Sequence, residues 1–193
     1  MKSFTDVLTF VQALEIRDHS FETLVVDSLD ALEVLIHQAV CQEHHVRTVM
    51  DLAYGKGIAL SLSLWHQFIE TLKHLWLRKG MNIVLIGHDT IARYDNPTST
   101  SYDRHQLRLQ ERAASLVMDW CNCVLFATKD LHFLTEDRGF GHKVSKAQER
   151  GRVMYTQGDC SYLAKNTYNL PVRMPLDAGM FWKSIQDFNQ GGS

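Results

Sequence analysis

Apolar positions along this chain follow two rhythms that alternate. Phe4, Val7, Leu8, Val11 and Leu14 recur at helical spacing, and residues 23–27 that follow are short, β-branched and apolar. That pattern predicts a helix and then a buried strand. Ser28 is placed to cap a second helix, whose Leu32, Leu35, Ile36 and Ala39 form one apolar face. A longer helix after Tyr54-Gly55-Lys56-Gly57 carries Leu62, Trp65, Phe68, Ile69, Leu72, Leu75 and Trp76 and stops at Gly80. Residues 82–86, Asn-Ile-Val-Leu-Ile, read as a second buried strand.

The remaining chain continues less regularly. Residues 91–105 are polar and turn-rich, which predicts a mobile surface loop. A helix through Leu109, Ala113, Leu116, Val117 and Trp120 leads to a third strand at 123–127. Residues 131–135 and 152–156 flank a connection rich in glycine and basic residues, as in a long antiparallel hairpin. Asp177 then caps a terminal helix using Met180, Phe181, Ile185 and Phe188. Strands alternating with helices predict an α/β fold with parallel βαβ units, in which ligands bind at the carboxyl ends of the strands. Asp27, His88 and Asp89 share that edge. No internal repeat is visible, so one domain is expected over residues 1–190, with 191–193 as a tail.

Composition narrows the picture only a little. A chain of 193 residues, 45% hydrophobic and 22% charged, can bury a full core. Its apolar runs are far shorter than the ~20 residues of a membrane span, and Met1-Lys2-Ser3-Phe4 opens no signal peptide, so a cytoplasmic protein without membrane attachment is expected. Cysteines at 41, 121, 123 and 160 form no paired framework and read as reduced, mostly buried thiols. A formal charge of −2 attracts nucleic acid nowhere globally, so any such contact must be local.

Two local basic segments qualify. The 91–105 stretch holds Arg93 and Arg104, and the 138–152 stretch holds Arg138, His142, Lys143, Lys146, Arg150 and Arg152, against Asp137 and Glu149. Arg93, Arg104, Lys143 and Lys146 are the candidate nucleic-acid contacts. Ten histidines also invite a metal reading. His37, Cys41, His44 and His45 partly share a helix face, but no second segment offers a complementary Cys or His pair, which argues against a zinc site.

The stretch Leu24-Val25-Val26-Asp27-Ser28-Leu29-Asp30-Ala31-Leu32 resembles the Walker B strand of RecA-like, AAA-type ATPases, in which an aspartate emerges beside a magnesium ion. Residues 82–90 resemble the following core strand, whose end carries a polar residue that senses the γ-phosphate. His88 or Asp89 takes that place. Ala164-Lys165-Asn166-Thr167-Tyr168-Asn169-Leu170-Pro171 is similar to the Lys-Asn-Arg or Lys-Asn-Lys segment that reaches a neighbouring subunit's nucleotide, with Lys165 matching and Thr167 not. Together with Tyr54-Gly55-Lys56-Gly57, the Asp-Asn-Pro loop and Tyr102-Asp103-Arg104, these segments resemble a phage and prophage branch of that family, found beside recombination and single-strand annealing functions. The likeness covers roughly residues 3–182.

The resemblance implies a RecA-like, mostly parallel sheet with flanking helices, a C-terminal hairpin and an N-terminal truncation. It implies ATP and Mg²⁺ as ligands, with Asp27 toward the metal through water, Ser28 and Lys165 toward the nucleotide, and His88, Asp89 and Lys165 as catalytic candidates. Residues 1–193 contain neither G-x-x-x-x-G-K-[ST] nor the family's strand with a catalytic glutamate. Gly55-Lys56-Gly57 is no substitute, since it follows the Walker B strand and ends in Gly57 instead of Ser or Thr. The chain alone is therefore expected to bind ATP weakly or not at all, and to self-associate or use a complementing N-terminal segment. Single-stranded DNA or a single-strand-binding protein is the implied partner. A non-catalytic assembly protein and a metal-dependent phosphoesterase using Asp27, His88 and Asp89 are the alternatives.

Overall fold

The computed structural model describes residues 1–97, 100–137 and 143–191, and the chain forms two compact units. The first comprises Met1–Thr90 and Leu107–Trp120. Helix α1 (Phe4–Ile16) begins with a capping box: the Ser3 hydroxyl accepts the Asp6 N–H at 3.1 Å, and the Asp6 carboxylate accepts the Ser3 N–H at 3.1 Å. Strand β1 (Thr23–Asp27), α2 (Leu29–His44), α3 (Lys56–Lys79) and β2 (Asn82–Ile86) follow in the expected order. β1 and β2 pair in parallel, from Thr23 opposite Asn82 to Asp27 opposite Ile86. Parallel neighbours need a long crossover, which α2 and α3 supply.

The core of this unit is where the helical periodicity placed it. Val11, Ile36, Val40, Trp65, Phe68, Leu72 and Leu75 are all at most 2% exposed, and the Trp65 and Phe68 rings meet edge to face at 6.1 Å. Each such side chain contributes about 1.5–3 kcal/mol relative to exposure. Trp76, expected on the same face, is exposed. α3 ends as its sequence predicts, with Gly80 in the left-handed region at φ 64° and its N–H donating to the Trp76 carbonyl at 2.9 Å.

The glycines before α3 have packing roles. Gly55 occupies the helix N-cap at φ 70°, a conformation costly for any residue with a Cβ. Gly57 is buried, and a Cβ there would collide with the backbone carbonyl of Val49. Close backbone approach thus accounts for Gly57, and a left-handed turn for Gly55.

The second unit comprises Ile91–Gln106 and the chain from Cys121 onward. The expected loop at 91–105 is largely ordered β structure: β3 (Asp89–Tyr94) pairs with β4 (Tyr102–Leu107). Its polar sequence hid a cross-strand cluster in which Tyr94 and Tyr102 lie 5.3 Å apart and the Arg104 guanidinium sits 4.1 Å above the Tyr94 ring. α4 (Glu111–Trp120) belongs to the first unit, and its first turn is capped by the Gln110 side-chain oxygen, which accepts from Arg112 and Ala113 N–H at 2.9 and 3.3 Å.

The strand expected at 123–127 is divided. β5 (Cys123–Val124) is followed after Leu125 by β6 (Phe126–Asp137), which forms a hairpin with β7 (Lys143–Tyr155). β8 (Lys165–Asn166) runs antiparallel to β5, and β9 (Arg173–Pro175) antiparallel to β7. The expected hairpin is present and longer than its sequence flanks suggested. A bulge interrupts it, since Asp130 faces Gly151 while Leu131 faces Glu149, leaving Arg150 as the extra residue and Gly151 at φ 153°. Arg138 and His142 lie outside the described residues. α5 (Ala178–Gly191) opens as expected, with the Asp177 carboxylate accepting the Met180 N–H at 2.8 Å.

The fold is therefore mixed α/β, but the mostly parallel sheet that the resemblance implied is not what the described residues form. Among the described residues β1 and β2 form a parallel pair, a single parallel bridge joins His105 to Tyr162, and the larger sheet, β6-β7-β9, is antiparallel. Residues 126–137 pair instead with β7, a partner close in sequence, and residues 123–124 pair with β8.

Candidate functional site at the end of the parallel strands

The carboxyl ends of β1 and β2 bring together residues far apart in the chain. Asp27 ends β1 directly opposite Ile86 and is exposed. Ser28 is 8% exposed and holds the N-cap position of α2, yet its hydroxyl makes no capping bond to the helix backbone. Gly87 follows β2 where a Cβ would approach Leu107 Cδ2 at 2.7 Å and Leu29 Cδ1 at 3.7 Å, so the strand end packs tightly over α2.

Asp30, in the first turn of α2, is the centre of this edge. Its Oδ1 lies 2.8 Å from His88 Nδ1 and accepts the His88 backbone N–H at 3.3 Å, and its Oδ2 accepts from Arg108 Nη2 at 2.9 Å. The Arg108 backbone N–H also donates to the His88 carbonyl at 2.9 Å, so His88 and Arg108 are tied to each other as well as to Asp30. Burial disfavours ionisation of Asp30, but hydrogen bonds from Arg108, then His88 and Ser28, outweigh it and hold the carboxyl well below the usual carboxylate range. Nearby, Glu33 accepts the Gln110 N–H at 3.0 and 3.1 Å, fixing the start of α4 to α2. Asp30 and Arg108 escaped sequence reasoning, because an acid in a helix's first turn is ordinary dipole complementation and its partner lies 78 residues away.

The other candidates occupy different ground. Asp89 begins β3 and is exposed. Lys165 is in the second unit, on β8 opposite Val124. The adjacent Asn166 organises the turn after it: its Nδ2 donates to Thr156 Oγ1 at 3.3 Å and the Leu170 carbonyl at 3.0 Å, and its Oδ1 accepts from Tyr168 and Leu170 N–H at 3.0 and 3.3 Å. The Lys-Asn pair thus includes one residue with a plain architectural job. Burial pushes the Cys123 thiol up to about 11 and also raises Cys121, where Lys165 partly offsets it, so neither is an activated thiolate.

Among the nucleic-acid candidates, Arg93 is exposed and pairs with Asp95 at 3.6 Å, whereas Arg104 is packed over Tyr94 with its Nε buried. Lys146 is exposed on β7, and the Lys143 side chain lies outside the described part of the structure. Around the base of the hairpin, cations meet carboxylates: Lys129 pairs with Glu149 at 2.9 Å and Arg173 with Asp130 at 2.7 Å.

An exposed carboxylate at a strand end suits magnesium, a hard cation that keeps several waters and takes one or two carboxylates plus phosphate oxygens. Asp27 fits that role. No group of three or more His, Cys, Asp or Glu side chains able to hold a metal occurs among the described residues, and the His37, Cys41, His44 and His45 face gives none. A phosphate cradle is a different matter, because Gly55 and Gly57 are explained by helix entry and backbone packing.

These features define an α/β protein with an acidic residue at the end of a parallel strand pair. A family model described as an AAA domain matches residues 1–168, and the chain belongs to that family. Membership carries a nucleotide-binding, ATPase-like fold, with ATP and Mg²⁺ as the family's general ligands. No curated protein and no solved structure matches the chain. No helix among the described residues is long and apolar enough to cross a membrane.

Proposed function

We propose that this chain supplies the magnesium-side half of an ATP site in a RecA-like protein of phage DNA recombination, acting in the cytoplasm. Asp27 would hold Mg²⁺ through water, Ser28 would lie beside the nucleotide, and His88 and Asp89 would face its reacting end. The phosphate-binding loop would come from a segment or chain other than residues 1–193. Lys165 would reach a neighbouring subunit's phosphates, and Arg93, Arg104, Lys143 and Lys146 would meet single-stranded DNA or its binding protein.

The observation that carries this reading is the placement of Asp27 at the carboxyl end of the parallel β1–β2 pair in a chain of the AAA-domain family. Calorimetry with ATP and Mg²⁺ tests it. Residues 1–193 alone should bind at best at about millimolar Kd without turnover. A supplied phosphate-loop segment should restore both, and Asp27→Asn should then abolish magnesium-dependent hydrolysis without unfolding the protein. Micromolar binding by residues 1–193 alone would overturn the split-site reading.

A second reading is favoured by the strand edges. Among the described residues β1 and β2 pair only with each other, so each keeps an edge on which another strand can add. On that view the protein is an assembly module that needs no nucleotide, and light scattering showing a partner-bound complex indifferent to ATP supports it.

A further inference from the structure

His88 is held in a way that decides what its ring can do. Its Nδ1 faces Asp30 Oδ1 at 2.8 Å, and a carboxylate is an acceptor only, so Nδ1 must carry a hydrogen. The carboxylate is not free to turn away. Oδ1 also takes the His88 backbone N–H, and Oδ2 takes Arg108 Nη2, so displacing the ring contact would leave the same carboxylate fixed by two other donors. Arg108 in turn binds the His88 carbonyl through its own N–H, which holds the residue as well as its ring. Meanwhile the His88 side chain is 59% exposed and Asp30's only 18%, so the ring is anchored at one side and open to solvent.

We infer that Asp30 is a positioning residue that keeps a proton on His88 Nδ1, so that the ring in its neutral form carries its lone pair on Nε2 and the end of β2 then presents an acceptor to a water or hydroxyl group and not a donor to a phosphate oxygen. The physics is the orientation of an imidazole by a carboxylate, in which the hydrogen bond at one nitrogen sets the role of the other. The choice matters because a phosphate oxygen has only lone pairs to offer, and two acceptors facing each other repel. A neutral ring so held suits a protic oxygen, such as a water lying between the protein and a nucleotide. This rests on the proposed reading of the strand end as facing the nucleotide, and it specifies which atoms would lie between.

Ring-nitrogen NMR of the protein without nucleotide tests it, at about pH 8, above the ordinary histidine range. His88→Gln identifies the His88 signals by their loss. The expected spectrum has His88 protonated on Nδ1 and bare at Nε2, and Asp30→Ala should move the ring to a mixed tautomer. A proton on Nε2 in the wild-type protein overturns the inference, and so does an unchanged tautomer in Asp30→Ala. Sulfate added at the same pH, an anion whose oxygens have only lone pairs, should leave the His88 Nε2 resonance in place, and a saturable shift there would also overturn it. Because the tautomer is read without nucleotide, failure here is separate from failure of ATP binding. Should Asp30→Ala not fold, the wild-type tautomer and the sulfate titration still decide.

Discussion

The two units of this chain are held by different means. In the first, four helices close on a largely apolar interior of Ile36, Trp65, Phe68, Leu72 and Leu75, and two short strands are added to it. In the second, the buried side chains among the described residues include Met154, Leu170 and Met174, and ring contacts and one asparagine add to them. Phe126 and Tyr162 stack at 4.7 Å with planes 6° apart, His105 lies 4.9 Å from Phe126, and Asn166 ties Thr156, Tyr168 and Leu170 together. Nonpolar burial tolerates a lost hydrogen bond, whereas a structure built on polar closure does not. The candidate site follows the same division: the Asp30 cluster rests on the well-packed unit, which suits groups that must be held accurately.

Substitutions can break this contrast, and the largest effect is expected in the packed unit. Phe68→Ala empties a site that is 0% exposed and should cost about 3–5 kcal/mol, read from the urea midpoint. Gly57→Ala drives a methyl group into a backbone carbonyl that cannot rotate aside, and should cost about 3 kcal/mol by the same measurement. In the second unit, Asn166→Ala removes the side-chain partner of backbone groups of Tyr168 and Leu170 and should cost about 2 kcal/mol. Hydrogen exchange sharpens that last case, since protection should fall around residues 156–171 and stay intact in α3. Loss of protection in both units together would show that they unfold as one and that the contrast is only in composition.

Acid should act on the first unit through Asp30. Its carboxyl titrates lower when folded than in the unfolded chain, where the value is about 3.9. Its contribution is therefore complete above about pH 4 and is lost as pH falls through the lower folded value. Comparing wild type with Asp30→Asn across pH 7 to 2 should show a stability gap that closes toward the acid end. The smallest effect belongs to the exposed Lys73–Glu70 pair at 3.3 Å, where Glu70→Gln should cost no more than about 0.5 kcal/mol.

Much of the first unit was legible because its elements are long and periodic. Phe68 and Leu72 repeat at helical spacing, and Gly80 marks a helix end by a left-handed conformation that other residues avoid. The β3–β4 pair was not legible, since its stabilising contacts join Tyr94 to Tyr102 and Arg104 across a turn marked by Asn96-Pro97, and local pattern registers only the turn. β5 and β8 have two residues each, too short for any period. At the site, Asp27, His88 and Asp89 could be placed at a strand edge from order alone. The joining of His88 to Asp30 and Arg108 could not, because it depends on how α2 and the start of α4 meet around the strand end.

The parallel register of β1 and β2 also has a kinetic meaning. Thr23 meets Asn82 only after the chain between them has turned through α2 and α3, so this pairing cannot form from neighbours in sequence. Closing so long a loop is entropically costly until helices have shortened the distance. The order of events should therefore be helix docking first and strand pairing afterward, with the ends of the two strands assembled among the last parts of the first unit. A nascent chain would then acquire its packed interior before the ends of β1 and β2 meet, and that strand-end edge would be the most recently completed portion of the unit.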